Sequence, residues 1–281
     1  MCKQCGARFV TQNRPNNWQK ELFQEYVFGK QTLKQLADRY GITPKTIQRH
    51  LDQYQEGQAD TQAVCSVVIG IDCSFFGRDY GIIVARCPAL KKNLYWKKIT
   101  TENKAVYEEA RHYLEAAGFN IQAVVLDARH GIKEVFSDLV VQICQYHQQQ
   151  IVGRYLTNKP KTEAGLELKV LTSALTEIDE KSFTELLNAW YAKWEGFLKE
   201  RTYSSDGKHW WHTHKRIRSA YRSLITNLPY LFSYQRFSEL NIPNTNNSLE
   251  GYFSKMKRLL NNHNGLKRWR RYRLIETILE H

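Results

Sequence analysis

Asp72 closes the apolar run CSVVIGID and Asp127 closes IQAVVLD, so each acid follows a stretch that reads as a buried strand. Carboxylates at the carboxyl ends of neighbouring parallel strands converge on the crevice where α/β sheets place their sites. Such oxygens suit a hard divalent cation. Mg²⁺ takes a few carboxylates plus water and substrate phosphates, and two ions about 3.5–4 Å apart activate one oxygen of a phosphodiester exchange while stabilising the other. Taken singly, each Asp is equally well a strand-end cap. Glu250, in NTNNSLEGYFSKMKRLL, also has a plain structural reading. With Asn247 as N-cap it stands third in a helix, where it bonds back to the cap and meets the positive helix end.

Cys144 and His147 stand three apart at the end of LVVQIC. With a strand leading in, Cys144 reads as a small buried hydrophobe, and His147 opens a helix near the acids, as a contact to a metal ligand or a substrate phosphate. Cys2 and Cys5, in CKQCGARF, match one knuckle of a zinc ribbon. Tetrahedral zinc needs two further ligands, so zinc is not expected there. Cys65, Cys73 and Cys87 show no disulfide spacing.

The elements that must position these groups follow from periodicity. Leu22, Tyr26 and Val27, then Leu33, Leu36, Ala37 and Tyr40, lie at helical spacing. Gly41 breaks the pattern, Thr43 caps a third helix with Pro44 at its first position, and Ile47, Leu51 and Tyr54 continue the apolar face. This spacing predicts a helix-turn-helix, with Lys45, Thr46, Gln48 and Arg49 on the outer face of its second helix, in reach of a major groove. A plain three-helix bundle with solvated charges fits the same pattern. A polar stretch then reads as a linker, after which Cys65–Asp72, Tyr80–Cys87 and Asn93–Thr100 predict three antiparallel strands. Helix Glu102–Ala117, strand Ile121–Asp127, a short helix Gly131–Asp138 and strand Leu139–Cys144 predict parallel pairing by right-handed crossover.

From Lys161 to Phe237 the pattern is densely helical. Within it, KHWWHTHKRIRSAYR sets Trp210 and Trp211 among basic residues, a composition for stacking on unpaired bases while neutralising phosphates, or for anchoring a basic helix to the core. Beyond Glu250, Lys257, Arg258, Lys267, Arg268, Arg270 and Arg271 make a face for a polyanion. The whole chain has 41 Lys and Arg against 28 Asp and Glu, a formal charge of +13 and a pI near 9.4, which points to nucleic acid. No apolar run approaches the roughly 20 residues of a membrane-spanning helix and no signal-peptide pattern opens the sequence, so a cytoplasmic protein without a membrane partner is expected.

GIDCSFFGRDYG, VVLDARHG, ICQYHQQQIVGRYL and NIPNTNNSLEGYFSKMKRLL, in this order within residues 66–273, resemble the DDE transposases of bacterial insertion sequences in the Mutator-like group. The resemblance implies an α/β fold: an RNase H-like mixed sheet flanked by helices, an N-terminal helix-turn-helix, and an all-helical insertion before the third acid. It implies that Asp72, Asp127 and Glu250 are catalytic and hold Mg²⁺, with Mn²⁺ as a substitute, and that Cys144 and His147 are the family's Cys-x-x-His. It implies double-stranded DNA as partner, both as terminal inverted repeats and as target, with a homodimer or larger assembly working on paired ends at a bacterial nucleoid. Two departures stand out: the family's DGR-type triplet is here Asp127, Ala128 and Arg129, and the Cys2–Cys5 knuckle lacks a mate, as in a truncated copy. The expected domains are a zinc-ribbon remnant over 1–15, the helix-turn-helix over 16–55, a linker over 56–64, the first part of the core over 65–157, the insertion over 158–240, and core completion with a basic helix over 241–281. The function expected is DNA strand cleavage and transfer. The rivals are a non-catalytic DNA-binding regulator and an RNase H-like nuclease that only hydrolyses.

Overall fold

The computed structural model describes residues 17–54, 65–77, 80–263 and 265–280; Cys2, Cys5 and the 56–64 linker lie outside them. Near the N-terminus, local chemistry sets the helix boundaries. α1 (Asn17–Val27) is followed by α2 (Leu33–Tyr40), where Thr32 and Gln35 form a reciprocal capping box. Gly41 ends α2 with φ +65°, a left-handed conformation that a Cβ would penalise. Thr43 then accepts the Thr46 N–H to cap α3 (Pro44–Gln53), with Pro44 in the first turn where no amide donor is needed. Leu22, Val27, Leu36 and Ile47 are fully buried between the three helices.

The sheet is built from β1 (Ser66–Phe75), β2 (Gly81–Cys87), β3 (Lys92–Ile99), β4 (Asn120–Leu126) and β5 (Val140–Ile143), with α4 (Lys104–Ala116) crossing between β3 and β4. The spatial order is β3-β2-β1-β4-β5. β1 pairs antiparallel with β2 and parallel with β4; β2 and β3 are antiparallel, β4 and β5 parallel. This is an RNase H-like mixed sheet. Val67, Ile69, Ile71, Ile83 and Leu126 pack with Tyr107, Ala110 and Leu114 of α4 to form the larger core. Ala123 and Val125 share a second cluster with Cys144 and Ile242.

Asp72 does not end its strand as expected. β1 continues to Phe75, with Asp72 opposite Val84 of β2, whereas its ladder with β4 stops at the Gly70–Val125 pair. The antiparallel hairpin carries β1 past the shorter parallel partner, so Asp72 is held on one side and open on the other.

The segment after β5 is helical: α5 (Gln145–Leu156), α6 (Glu163–Ser173), α7 (Glu180–Lys199), α8 (Lys215–Leu231) and α9 (Ser233–Arg236). It is not all-helical, however. β6 (Arg201–Tyr203) and β7 (Trp210–His212) form an antiparallel hairpin between α7 and α8. Three-residue strands are too short to show a period of two, and the usable signal was the turn: Asp206 accepts from Lys208 N at 3.1 Å, and Gly207 takes φ +67°. Trp210 and Trp211 therefore sit on a strand, not a helix.

The last elements are α10 (Asn247–Asn261) and α11 (Arg268–Glu280). The chain divides into two compact units, one of Gln62–Gly251 and the other of α1–α3 with the chain from Tyr252 onward. Residues 241–281 were expected to complete the core as one piece, yet the division runs through α10. Glu250 stays with the sheet. In the other unit Arg270 reaches Asp52 with two nitrogens, Nε to Oδ1 at 3.0 Å and Nη2 to Oδ2 at 2.9 Å, and the Tyr26 and His263 rings lie 4.1 Å apart.

Candidate active site

Gly70 is paired with Val125, and two residues further along each chain stand Asp72 and Asp127. Since side chains alternate across a strand, this register turns both acids toward one face at the carboxyl end of the sheet. In each, Oδ1 accepts the next residue's amide, Cys73 N at 2.7 Å and Ala128 N at 2.6 Å. Among the described residues, the second oxygen of each carboxylate makes no such backbone bond.

Glu250 is brought to them by a docked loop. Gln145 N donates to Asn244 O at 3.0 Å, and Asn244 Nδ2 returns a bond to Gln145 Oε1 at 2.9 Å. Asn246, only 3% exposed, donates its amide to Cys144 Sγ at 3.2 Å and its Nδ2 to Ile71 O at 3.4 Å. Its carbonyl accepts Glu250 N at 3.0 Å and so opens α10. The cap position belongs to Asn246, not Asn247, and Glu250 is the fourth helical residue. Arg86 Nε adds a 3.3 Å bond to Ser248 Oγ from β2. Cys144, fully buried, thus serves as the acceptor that seats this loop.

His147, one turn into α5, lies between the acids: its Nε2 is 3.5 Å from Glu250 Oε1. Burial alone would lower its pKa, but interaction with Cys144 and the charges of Asp127 and Asp72 override that and push it up to about 9. Asp72 moves the other way from its usual range. Burial raises its carboxyl to about 7, with Asp127 and Glu102 adding to the rise while His147 and the Cys73 amide oppose it. A crowd of half-buried carboxylates with one imidazolium among them is short of positive charge. Glu250 Oε1 is itself buried and has no hydrogen-bond donor among the described residues. A carboxylate oxygen without a hydrogen bond and a carboxyl driven to hold its proton are what a hard cation would relieve, and carboxylates are the donor type such a cation takes. Among the described residues, the one group of three ligand-type side chains whose donor atoms lie within 4.8 Å of one another is Cys144, His147 and Glu250, which leaves Asp72 and Asp127 outside it; its Cys144 sulfur accepts the Asn246 amide.

Glu102 was not singled out from the sequence, where it reads as the first residue of a helix. Its carboxylate accepts from Arg129 Nη1 at 2.5 Å and from Tyr107 OH at 2.8 Å, while the Cys73 thiol lies 3.7 Å from the same phenol. The chain Cys73–Tyr107–Glu102–Arg129 joins the residue after Asp72 to the loop after Asp127. Gly70 was missed as well. A Cβ there would meet Asn246 Oδ1 at 2.2 Å, so only glycine lets the loop reach the sheet.

The remaining sequence candidates are spread more widely. On α3, Lys45 and Arg49 are exposed, Thr46 bonds Thr43, and Gln48 is half-buried in a small cleft beside Asp52. On β7, Trp210 and Trp211 are exposed, with the Arg201 guanidinium 4.0 Å over the first ring and Lys215 Nζ 5.3 Å over the second. Lys257, Arg258, Lys267 and Arg268 are exposed, Arg271 is half-buried, and Arg270 is committed to Asp52.

The sequence matches no protein-family model and no curated protein. Among solved structures, the chain is similar to the Drosophila P element transposase in its strand transfer complex, at 12% identity and TM-score 0.46 over 99% of this chain and 94% of that one. It is also similar to a chain of the simian T-cell lymphotropic virus intasome in complex with PP2A regulatory subunit B56 gamma, at 10% identity and TM-score 0.23 over 56% of this chain and 69% of that one.

Proposed function

We propose that this protein is a DNA transposase of the DDE type, which cleaves DNA at an element's ends and joins the freed end to a target. The observation that supports this reading is that His147, at one end of an RNase H-like sheet, feels the charges of Asp72 and Asp127 and has its Nε2 3.5 Å from Glu250. Asp72, Asp127 and Glu250 would hold Mg²⁺. When bound, Mg²⁺ supplies charge neutralisation at the scissile phosphate and lowers the pKa of the attacking hydroxyl.

The residues of the chain supply position. The amides of Cys73 and Ala128 fix one oxygen of each Asp and leave the other for a cation or substrate. The imidazolium of His147 orients Glu250 and offsets charge between turnovers. In the first reaction water attacks a phosphodiester, a water-oxygen-to-phosphorus bond forms, and the bond to the 3′ oxygen breaks to leave a 3′-hydroxyl. In the second, that hydroxyl forms the new bond to a target phosphorus and displaces the target's own 3′ oxygen. Both are in-line phosphoryl transfers in which positioning and electrostatics do the catalysis. The three-helix module, with Lys45 and Arg49 exposed on α3, reads the terminal repeats in a major groove, and the exposed charges of α10 and α11 add phosphate contacts.

The test incubates purified protein, Mg²⁺ and target plasmid with labelled DNA carrying the repeats that bound its gene. Wild type yields joined product, whereas Asp127→Asn and Glu250→Gln keep the fold and DNA affinity but yield none. Hydrolysed ends without joining would replace the transposase with a nuclease. Full activity in either variant would sink the metal assignment.

A further inference from the structure

A cleft of about 930 Å³ opens beside Asp127 and runs between α5 and α8. Arg129, Lys133, Arg154, Arg216 and Arg222 line it, and Asp127 is its one acid. Some of this charge is already used: Arg129 is paired with Glu102, and Arg216 donates to the carbonyls of Tyr155 at 2.7 Å and Arg154 at 2.6 Å. Arg154 and Arg222 are exposed and make no ion pair among the described residues. The floor is polar and pre-set. Buried Gln148 donates to Ser223 Oγ at 3.1 Å and accepts from Asn227 Nδ2 at 2.8 Å, which holds the hydroxyl and amide of α8 in place. On the α5 wall Tyr155 keeps 38% of its surface exposed beside Arg154.

We infer that this cleft takes a short unpaired run of a DNA strand, leading it to the Asp127 end of the site. Uncompensated cations along a groove, with an exposed aromatic ring for stacking, are the combination that holds single strands irrespective of sequence. A paired base has no free face for Tyr155. The volume is on the scale of about 300–1,000 Å³ that suits a few nucleotides. The inference rests on the transposase reading in one respect only: that the strand's phosphate is delivered to Asp127.

The experiment measures binding of a labelled short oligothymidylate and of a blunt duplex to the full chain, by fluorescence anisotropy across a salt series in chelator. Each phosphate contact adds about 0.7 to the salt slope of single-strand binding, so Arg154→Ala/Arg222→Ala should flatten that slope by about 1.4. Tyr155→Ala should weaken strand binding about 5- to 150-fold through lost stacking. Duplex affinity should stay at the wild-type value in both. Unchanged strand affinity and slope in both variants, or equal loss of strand and duplex, would overturn the inference. Because binding is read without metal, an active Asp127→Asn would defeat the metal assignment and leave this result standing. Conversely, intact strand binding by the cleft variants would defeat the cleft and leave the three acids untouched.

Discussion

Gly70→Ala is the substitution that most directly tests how Glu250 is placed. The added methyl would lie 2.2 Å from Asn246 Oδ1 and 3.3 Å from its Cγ, far inside contact distance. Gly70 is bonded on both sides, to Arg86 of β2 and Val125 of β4, so the strand cannot yield without breaking two ladders. Asn246 must move instead. It then gives up the 3.4 Å bond to Ile71 O and pulls its amide from Cys144 Sγ. Overpacking costs about 1–3 kcal/mol and an unpaired buried amide about 1–3 kcal/mol more, for about 2–6 kcal/mol together. Against a typical stability of about 5–15 kcal/mol the sheet survives, but the start of α10 shifts. A displacement of the order of 1 Å at a catalytic group costs on the order of 10²-fold in rate. Urea denaturation followed by the strand-cleavage assay reads both effects. Adding Asn246→Gly removes the obstructing side chain and should recover stability, giving a coupling of about 0.5–3 kcal/mol between the two positions. Gly70→Ala with wild-type melting and wild-type cleavage would refute the docking of this loop as the device that aims Glu250.

Three further outcomes are expected. Cys144→Ala leaves the Asn246 amide without an acceptor and should cost about 1–3 kcal/mol plus a small cavity term, whereas Cys144→Ser keeps an acceptor and should lose less; equal losses in urea would contradict this role. Burial raises the Asp72 carboxyl to about 7, well above about 3.9 in an unfolded chain, so the folded protein binds the extra proton and its stability falls as pH rises between those values. Asp72→Asn should remove that slope, and Mg²⁺ binding should strengthen through pH 7 with proton release in calorimetry; a flat profile would refute both. His263 is half-buried, with its Nε2 buried and without a hydrogen bond among the described residues, and desolvation lowers its pKa below the ordinary 6.5, so its contribution is present above that pH and lost as pH falls through the folded value. His263→Phe should flatten the acid limb of thermal melts, and an unchanged limb would show that another group controls it.

Much of the scaffold was legible because its causes are local. Thr43 and Pro44 start α3, and Gly41 stops α2, through bonds spanning a few residues. Apolar runs with short connections specify β1–β3, and the strand–helix–strand sequence specifies the parallel side, so the sheet follows from pattern and chirality, whereas the continuation of β1 past Asp72 to Phe75 does not. The hairpin of β6 and β7 escaped because three residues carry no readable period, although Asp206-Gly207 marked its turn.

What the sequence by itself determined is therefore the chemistry available: two acids aligned by strand register and a third at a helix start, in a chain of charge +13. Only the tertiary structure decided which oxygens are left unpaired. Glu250 meets His147 because Cys144, Gln145 and Ile71, all more than ninety positions from the loop they bind, seat Asn244 and Asn246 over a glycine. The same long-range packing ties Glu102 to Arg129 and sends the chain after Tyr252 to the N-terminal helices, where Arg270 answers Asp52. Such contacts depend on shape and burial between segments distant in sequence, and no periodicity along the chain encodes them.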